Sequence, residues 1–328
     1  MCRIVALLFA LTIATAARAA ARDDIYTRPG QLVEADRARL NLYCTGSGSP
    51  TVVLDAGHQD WAPAWAAIQP QVAAWTRVCS FDRPGYGFSP PGPVPRTSER
   101  IAAELHDALH VLGFTGPYVL MGHAFGGYNM RAFAYRYLPE VAGLVLIETD
   151  AGDTASPERI AQSHNFFVRQ AAQIQQCRDA LAAHLLGPPE LSCDQRFFRR
   201  LPDPVWSNAL KLFLAEAIHT RPELSDTANA ELEELPGDEL YLQQHRVSLG
   251  SRPVRVITVA QHFSDSPATP PDVRAQHERS NRDIVDAQAG LLGLSSNSSQ
   301  IFVTHGSAYV QFDEPERVIG AIHEAAGR

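Results

Sequence analysis

The sequence predicts an α/β protein with a mostly parallel, eight-stranded sheet, helices on both faces and an inserted helical cap. Strand-like and helical segments alternate over residues 31–154 and again over 251–328, as in sheets whose parallel strands are joined by helices. Between residues 155 and 250 amphipathic helical patterns replace the strand signal. Within the first alternating region, VLMGHAFGGYNM at residues 119–130 has the pattern of a strand, a sharp turn and a helix.

The elements of the first half follow in chain order. QLVEA and RLNLYC predict a hairpin, TVVLDAG a buried strand, WAAIQPQVAAW a helix and TRVCSFD a further strand. The next segments predict a helix, a strand, a helix and a strand: SERIAAELHDALHVLG, PYVLMG, GYNMRAFAYRY and AGLVLIET. A ligand site is expected at the carboxyl ends of these strands.

The second half resumes the alternation after the helical insertion. RPVRVITVA and SQIFVTH predict strands separated by a helix, and EPERVIGAIHEAAG predicts the last helix. The expected division is therefore a core from 20 to 154, a helical cap from 155 to 250 and the rest of the core from 251 to 328.

Residues 1–19 have the features of a secretory signal peptide. Arg3 precedes an apolar run, and Ala17 and Ala19 form an A-x-A cleavage site. We therefore expect a periplasmic or secreted mature protein without stable membrane insertion.

Composition restricts the partners. The formal net charge is -8, and no run of Lys or Arg is present, which disfavours nucleic acid and anionic lipid. A small-molecule partner is expected, and the oligomeric state is not indicated. The sequence has no HExxH motif, no CxxC pair and no phosphate-binding glycine loop, so no metal or other cofactor is predicted.

Four cysteines remain after the signal peptide, an even number suited to an oxidising compartment. Disulfides between cysteines that are near each other in the sequence would join Cys44 with Cys79 and Cys177 with Cys193. The alternative is four buried free thiols.

Five motifs in order resemble the α/β-hydrolase superfamily, in particular secreted bacterial esterase-like members with a helical cap. They are LDAGHQDWAPAW, SFDRPGYGFS, GHAFGG, AGLVLIE and GSAYVQFDEPE. The resemblance implies an α/β-hydrolase fold, an acyl substrate and a mechanism through serine, histidine and an acid.

GHAFGG matches the nucleophile elbow of that superfamily except at its centre. Ala124 stands where the resemblance implies the nucleophilic serine. Phe125, just after it, and the loop at His58 and Gln59 are the implied oxyanion-hole residues.

The resemblance also implies a general-base histidine in the loop before the last helix. In GSAYVQFDEPE this position is Ala308. The alternative is a register in which His305 is the base, although a histidine without a nucleophile beside it would only activate water.

The acid of the triad has two candidate positions, Asp265 after the seventh strand and Glu148 at the end of the sixth, and Asp265 is preferred. Trp61, Trp65 and His123 are assigned to the pocket, with His123 turned away from the nucleophile position. Asp82 and Arg83 are expected to hold loops together beneath the site.

Two functions fit this pattern. The first is a secreted serine hydrolase for carboxylic esters or related acyl compounds, present here in an inactivated form, because alanine at both positions deletes the reactive groups and little else. The second is a natural pseudo-hydrolase that binds a small hydrophobic ligand as a receptor or carrier.

Overall fold

The predicted eight-stranded, mostly parallel sheet is confirmed in the computed structural model of the chain. The structure describes residues 24–35, 38–149, 206–221, 223–263, 265–304 and 306–328, with residues 169 and 172. The strand order is β1-β2-β4-β3-β5-β6-β7-β8. The β1–β2 and β2–β4 pairs are antiparallel, and all later neighbours are parallel.

The strands are short, and β3 to β8 run parallel, so that their carboxyl ends lie on the same side of the sheet. Their bounds are Gln31–Ala35, Ala38–Thr45, Thr51–Asp55, Val78–Asp82, Tyr118–His123, Val141–Ile147, Val254–Val259 and Ser298–Val303 for β1 to β8. The strand order reverses where β3 lies between β4 and β5. A crevice forms outside the carboxyl ends of parallel strands at such a point, which places the expected ligand site beside β3 and β5.

The described α-helices are labelled α1 to α8 in chain order. Their bounds are Gln69–Val72, Ser98–Val111, Gly126–Arg136, Asn208–Thr220, Glu223–His245, Pro271–Ala289, Val310–Asp313 and Pro315–Ala325. Thr97 caps α2 by accepting a hydrogen bond from the Arg100 N–H.

The prediction of one continuous helix over WAAIQPQVAAW is wrong. The structure has a 3-10 helix at Ala62–Trp65 and only the short helix α1 at Gln69–Val72. Pro70 has no N–H to donate, so it is tolerated in the first turn of a helix but cannot continue one that begins earlier.

Two apolar clusters cover the faces of the sheet. On one face Leu40, Val53 and Leu120 pack with Leu105 of α2 and Phe133 of α3. On the other, strand residues pack against α1, the segment just before it and α8 through Trp65, Ile68, Val72, Val318 and Ile322. The sheet is thus buried between two helical layers, as parallel sheets require.

The disulfide predicted between Cys44 and Cys79 is present. These residues lie directly opposite each other on the antiparallel strands β2 and β4. Cys177 and Cys193 lie outside the described residues, as do the predicted signal peptide and most of the first half of the predicted cap. Among the helices that the structure describes, none is long and apolar enough to cross a membrane.

Candidate active site

The elbow at the end of β5 has the tight backbone expected of a nucleophile turn. Ala124 has φ +46°, a left-handed conformation that side chains other than glycine rarely adopt. Its N–H donates to the Ile147 carbonyl at 2.9 Å, and the Thr149 hydroxyl donates to the Ala124 carbonyl at 2.5 Å. Both bonds come from the neighbouring strand and the residues after it, so the sheet itself holds this conformation.

Two glycines are required for this close approach. A Cβ on Gly122 would lie 2.5 Å from the backbone of Gly126, and a Cβ on Gly126 would lie 2.3 Å from the Asp55 carbonyl oxygen. The first turn of α3 therefore rests directly on the ends of β3 and β5. Phe125, the predicted oxyanion-hole residue, is the buried N-cap of α3, where helix N–H groups face outward and favour negative charge.

The second predicted oxyanion segment follows β3. Gln59 has φ +68°, and the His58 Nε2 lies 2.8 Å from the Ala228 carbonyl of α5. Because a carbonyl only accepts, this ring nitrogen carries a proton and donates. The imidazole of His58 thus binds α5, a helix of the predicted cap.

Arg83 fixes the backbone of the same loop from below. Its guanidinium donates to the Ala56 carbonyl at 2.8 Å and to the Gly57 carbonyl at 2.9 Å. In a trans peptide the C=O and N–H groups point in opposite directions. With the Gly57 carbonyl directed at Arg83, the N–H of His58 is directed away from Arg83.

The charge of Arg83 is balanced by two buried carboxylates. Asp55 at the end of β3 lies 2.8 Å from it and Glu231 of α5 lies 2.7 Å from it. Burial alone would lower the pKa of Arg83, but Glu231 and Asp55 raise it well above its usual value. Burial raises the pKa of Asp55, although Arg83 and Asn129 act in the opposite direction. Arg83 therefore joins the sheet, the loop and the cap helix, consistent with the expected structural role.

Asp82 is likewise a structural carboxylate. Its oxygens accept hydrogen bonds from the Asn41 side chain and from the N–H groups of Ala62 and Phe88. Burial raises its pKa to about 6, with these hydrogen bonds acting to lower it. It ties β2 to the loops on either side of the site.

The loop with Ala308 lies against the elbow. The His123 Nε2 donates to the Ala308 carbonyl at 2.9 Å, and the His123 ring packs against Tyr309 at 5.0 Å between centroids. His123 immediately precedes Ala124, so its side chain ties the loop of residue 308 to the end of β5. His305, the alternative base, lies outside the described residues.

Each of the two candidate acids contacts a histidine other than the expected base. The Asp265 Oδ1 lies 2.7 Å from the His277 Nδ1, and the Asp265 side chain is 21% exposed. The Glu148 Oε2 lies 2.8 Å from the His262 Nε2 in a close contact without hydrogen-bond geometry. Glu148 is 4% exposed and also accepts a hydrogen bond from the Val259 N–H at 2.6 Å. Glu148 is therefore built into the ends of β6 and β7, whereas Asp265 lies at the surface.

The two tryptophans assigned to the pocket occupy different places. Trp61 stacks on Tyr86 in an apolar cluster between the loops and the described cap helices, together with Trp206, Leu210, Leu214, Leu224 and Phe312. Trp65 is fully buried in the core cluster beneath the sheet. Only Trp61 lies between the core and the cap.

Sequence reasoning missed the residues that connect the cap to the core. Glu231 binds Arg83 and also accepts a hydrogen bond from the Tyr86 hydroxyl at 3.0 Å. Asp238 of the same helix accepts hydrogen bonds from the N–H and hydroxyl of Ser98, and burial raises its pKa to about 7. A usable signal was the set of acidic residues on the apolar face of α5, where carboxylates are rarely buried without partners.

These features define a protein of the α/β-hydrolase class: a doubly covered sheet, a strained elbow after β5 and an anion-favouring helix start beside it. A family model described as alpha/beta hydrolase fold matches residues 49–185. The chain thus has the α/β-hydrolase fold, and its residues 49–185 resemble that family in sequence.

Curated relatives are similar over parts of the chain. A protein of Schizosaccharomyces pombe is 31% identical over 179 residues, covering 45% of this chain and 32% of that protein. The 2-hydroxy-6-oxo-2,4-heptadienoate hydrolase of Pseudomonas putida is 32% identical over 122 residues, covering 36% of this chain and 44% of the enzyme. The aligned part is thus less than half of the length of each relative.

Solved structures share the fold over most of the chain. An esterase from Thermogutta terrifontis is 23% identical with a TM-score of 0.61, covering 90% of this chain and 96% of the esterase. The epoxide hydrolase CorEH is 17% identical with a TM-score of 0.63 and the same two coverages. At these identities the likeness concerns the fold, which esterases and epoxide hydrolases share.

Proposed function

We propose that the chain carries the site of a secreted or periplasmic serine hydrolase for carboxylic esters or related acyl compounds, with alanine at the nucleophile and base positions. Ala124 has a methyl group where the nucleophilic hydroxyl would be. Ala308 has a methyl group where the imidazole base would be. The chain as written therefore forms no acyl-enzyme.

The observation that carries this proposal is the contact between the two loops. The His123 side chain, next to the elbow centre, donates to the Ala308 carbonyl at 2.9 Å. The loop that carries position 308 is therefore bonded to the side chain next to the elbow centre, which supports an imidazole at position 308 as the base. The strained φ of Ala124 supports the same assignment, since a nucleophile elbow requires such a turn.

The chemistry follows from those positions once the reactive groups are restored. A serine oxygen at position 124 would attack the acyl carbon while a histidine at position 308 takes its proton. The oxyanion would accept hydrogen bonds from the N–H groups of Phe125 and His58, of which the second is directed by the Arg83 contact to Gly57. The leaving alcohol would take the proton back from the histidine, and water would then release the acid.

A second candidate is a pseudo-hydrolase that binds a small hydrophobic ligand without turning it over. The apolar cluster beneath the cap favours it, because Trp61 and Tyr86 there meet Trp206 and Leu214 next to the oxyanion loop. The same cluster would also suit the acyl chain of an ester.

The test is the double reversion Ala124→Ser with Ala308→His, assayed on nitrophenyl esters beside the parent chain. We expect turnover by the revertant and none by the parent. Ala124→Ser alone is the matched control and should be slower by a factor of about 10² or more, because it lacks the base.

A serine-reactive phosphonate separates the two candidates. Labelling at position 124 of the double revertant supports the disabled hydrolase. A folded revertant that neither hydrolyses esters nor reacts with the phosphonate contradicts it. The pseudo-hydrolase would then become the leading interpretation.

A further inference from the structure

A cluster of two histidines and a glutamate lies on α2 and the turn before β6, in a different part of the molecule from the elbow. His106 and His110 are one helical turn apart on α2, and Glu140 ends the 3-10 turn Leu138–Glu140. One ligand atom from each of the three side chains lies within 4.8 Å of the others. No step of the proposed acyl chemistry uses these residues.

The structure assigns to His106, His110 and Glu140 a binding site for a divalent transition-metal ion of the zinc class. The His106 Nε2 lies 3.2 Å from the Glu140 Oε1, and the His110 Nε2 lies 2.9 Å from the Glu140 Oε2. Ligand atoms around a tetrahedral zinc ion are about 3.3 Å apart, given bonds of about 2.0–2.1 Å. The two histidine–glutamate distances are thus close to this separation, and all three ligand atoms lie within 4.8 Å of one another.

The hydrogen bonds of His106 favour a cation at this point. Its Nδ1 lies 3.2 Å from the Asp107 carboxylate and its Nε2 faces the Glu140 carboxylate. With a proton on Nδ1, donated to Asp107, the neutral ring offers the Nε2 lone pair to a metal ion. A metal ion that displaces the proton between that nitrogen and Glu140 would be bound by both groups, with Asp107 orienting the ring from behind.

Charge supports the same conclusion. Two neutral histidines together with Glu140 and Asp107 carry two negative charges, which one dication balances.

The ligands are also held in place before any ion binds. The His106 ring stacks on Tyr137 with centroids 3.7 Å apart and planes 5° apart, and it also contacts the Phe133 ring with centroids 5.7 Å apart. His110 is 36% exposed, which gives an ion access from solvent and leaves room for a water ligand. Bound metal would join α2 to the connection between α3 and β6.

Zinc titration of the full chain, purified without a histidine tag and stripped with EDTA, tests this site. We expect one equivalent to bind in calorimetry and the thermal midpoint to rise with zinc, because the ion binds only the folded site. His110→Gln should weaken binding at least tenfold. The triple variant His106→Gln, His110→Gln, Glu140→Gln should lose the equivalent and the shift.

The matched control is His245→Gln, an exposed histidine bonded to the Tyr241 carbonyl on another helix. It should bind zinc as the parent does. The site is overturned if the triple variant keeps the parent's stoichiometry and affinity, or if the control loses as much as His110→Gln. His110→Gln alone decides the question if circular dichroism shows the triple variant to be unfolded, since His110 is exposed.

Discussion

The two sides of the candidate site differ in how deeply their polar residues are built into the fold. On the side of the predicted oxyanion loop, Arg83 is buried and pairs with two buried carboxylates, Asp55 and Glu231, that come from two other elements. On the base side, Asp265 and Ala308 lie in exposed loops. Groups that hold the sheet to the cap cannot be lost without a cost in folding, whereas an exposed loop residue can. The presence of these buried residues is therefore explained by their contribution to stability and does not by itself indicate activity.

The largest loss of stability should come from Arg83→Met. The substitution leaves Asp55 and Glu231 buried without their cation, and removing one partner of such a buried pair costs about 3–5 kcal/mol. Urea unfolding followed by tryptophan fluorescence measures the change. Arg317→Met, which removes an exposed i,i+3 pair with Glu314, should stay within about 0.5 kcal/mol. Equal losses in both variants would show that burial does not distinguish the two pairs.

The next effect tests the packing of the elbow. Gly126→Ala places a Cβ 2.3 Å from the Asp55 carbonyl oxygen, so β3 and α3 must separate at a cost of about 2–3 kcal/mol. Thermal unfolding measures the loss.

Gly320→Ala is the matched control for that variant. Nothing lies within 4 Å of the added Cβ in the middle of α8, so it should stabilise the protein by up to about 1 kcal/mol. A Gly126→Ala protein as stable as the parent would mean that the elbow is looser than these distances indicate.

The elbow and the Arg83 cluster show which features could be predicted from the sequence and which could not. The elbow and the sheet were predictable because their glycines and apolar runs are local patterns, and Cys44 could be paired with Cys79 because their strands were predicted from such runs. The partner of Arg83 was not predictable, since Glu231 lies 148 residues further along the chain and reaches it only through the packing of α5. The helix predicted over residues 65–75 failed at Pro70, although the proline was visible in the sequence.

Only two of the three residues of the proposed metal site form a pattern in the sequence. His106 and His110 stand at i and i+4 in HDALH, a spacing that puts two imidazoles on one helix face. Glu140 follows 30 residues after His110, beyond an intervening strand and helix. No local motif contains all three ligands.

The two candidate acids differ in burial, so their substitutions should differ in the stability that they cost. Glu148→Ala leaves the Val259 N–H without its carboxylate acceptor and should cost about 1–2 kcal/mol. Asp265→Ala removes a partly exposed contact with His277 and should cost less than about 1 kcal/mol. Chemical denaturation of both variants gives the difference. The reverse order would mean that the exposed pair, and not the strand-end carboxylate, holds this edge together.

The smallest effect concerns the two alanines themselves. Ala124→Gly relieves the positive φ of +46° and should stabilise the protein by about 0.5–1 kcal/mol, since glycine adopts this conformation without strain. Ala308→Gly, in an exposed loop, should change the stability by no more than about 0.5 kcal/mol. Differential scanning calorimetry of the two variants measures both values.

Equal shifts would mean that position 124 carries no strain. A gain confined to position 124 would show that the bonds from Ala124 to Ile147 and Thr149 impose the nucleophile turn on a residue that has no nucleophile. The turn would then persist because the sheet enforces it, independently of any reaction.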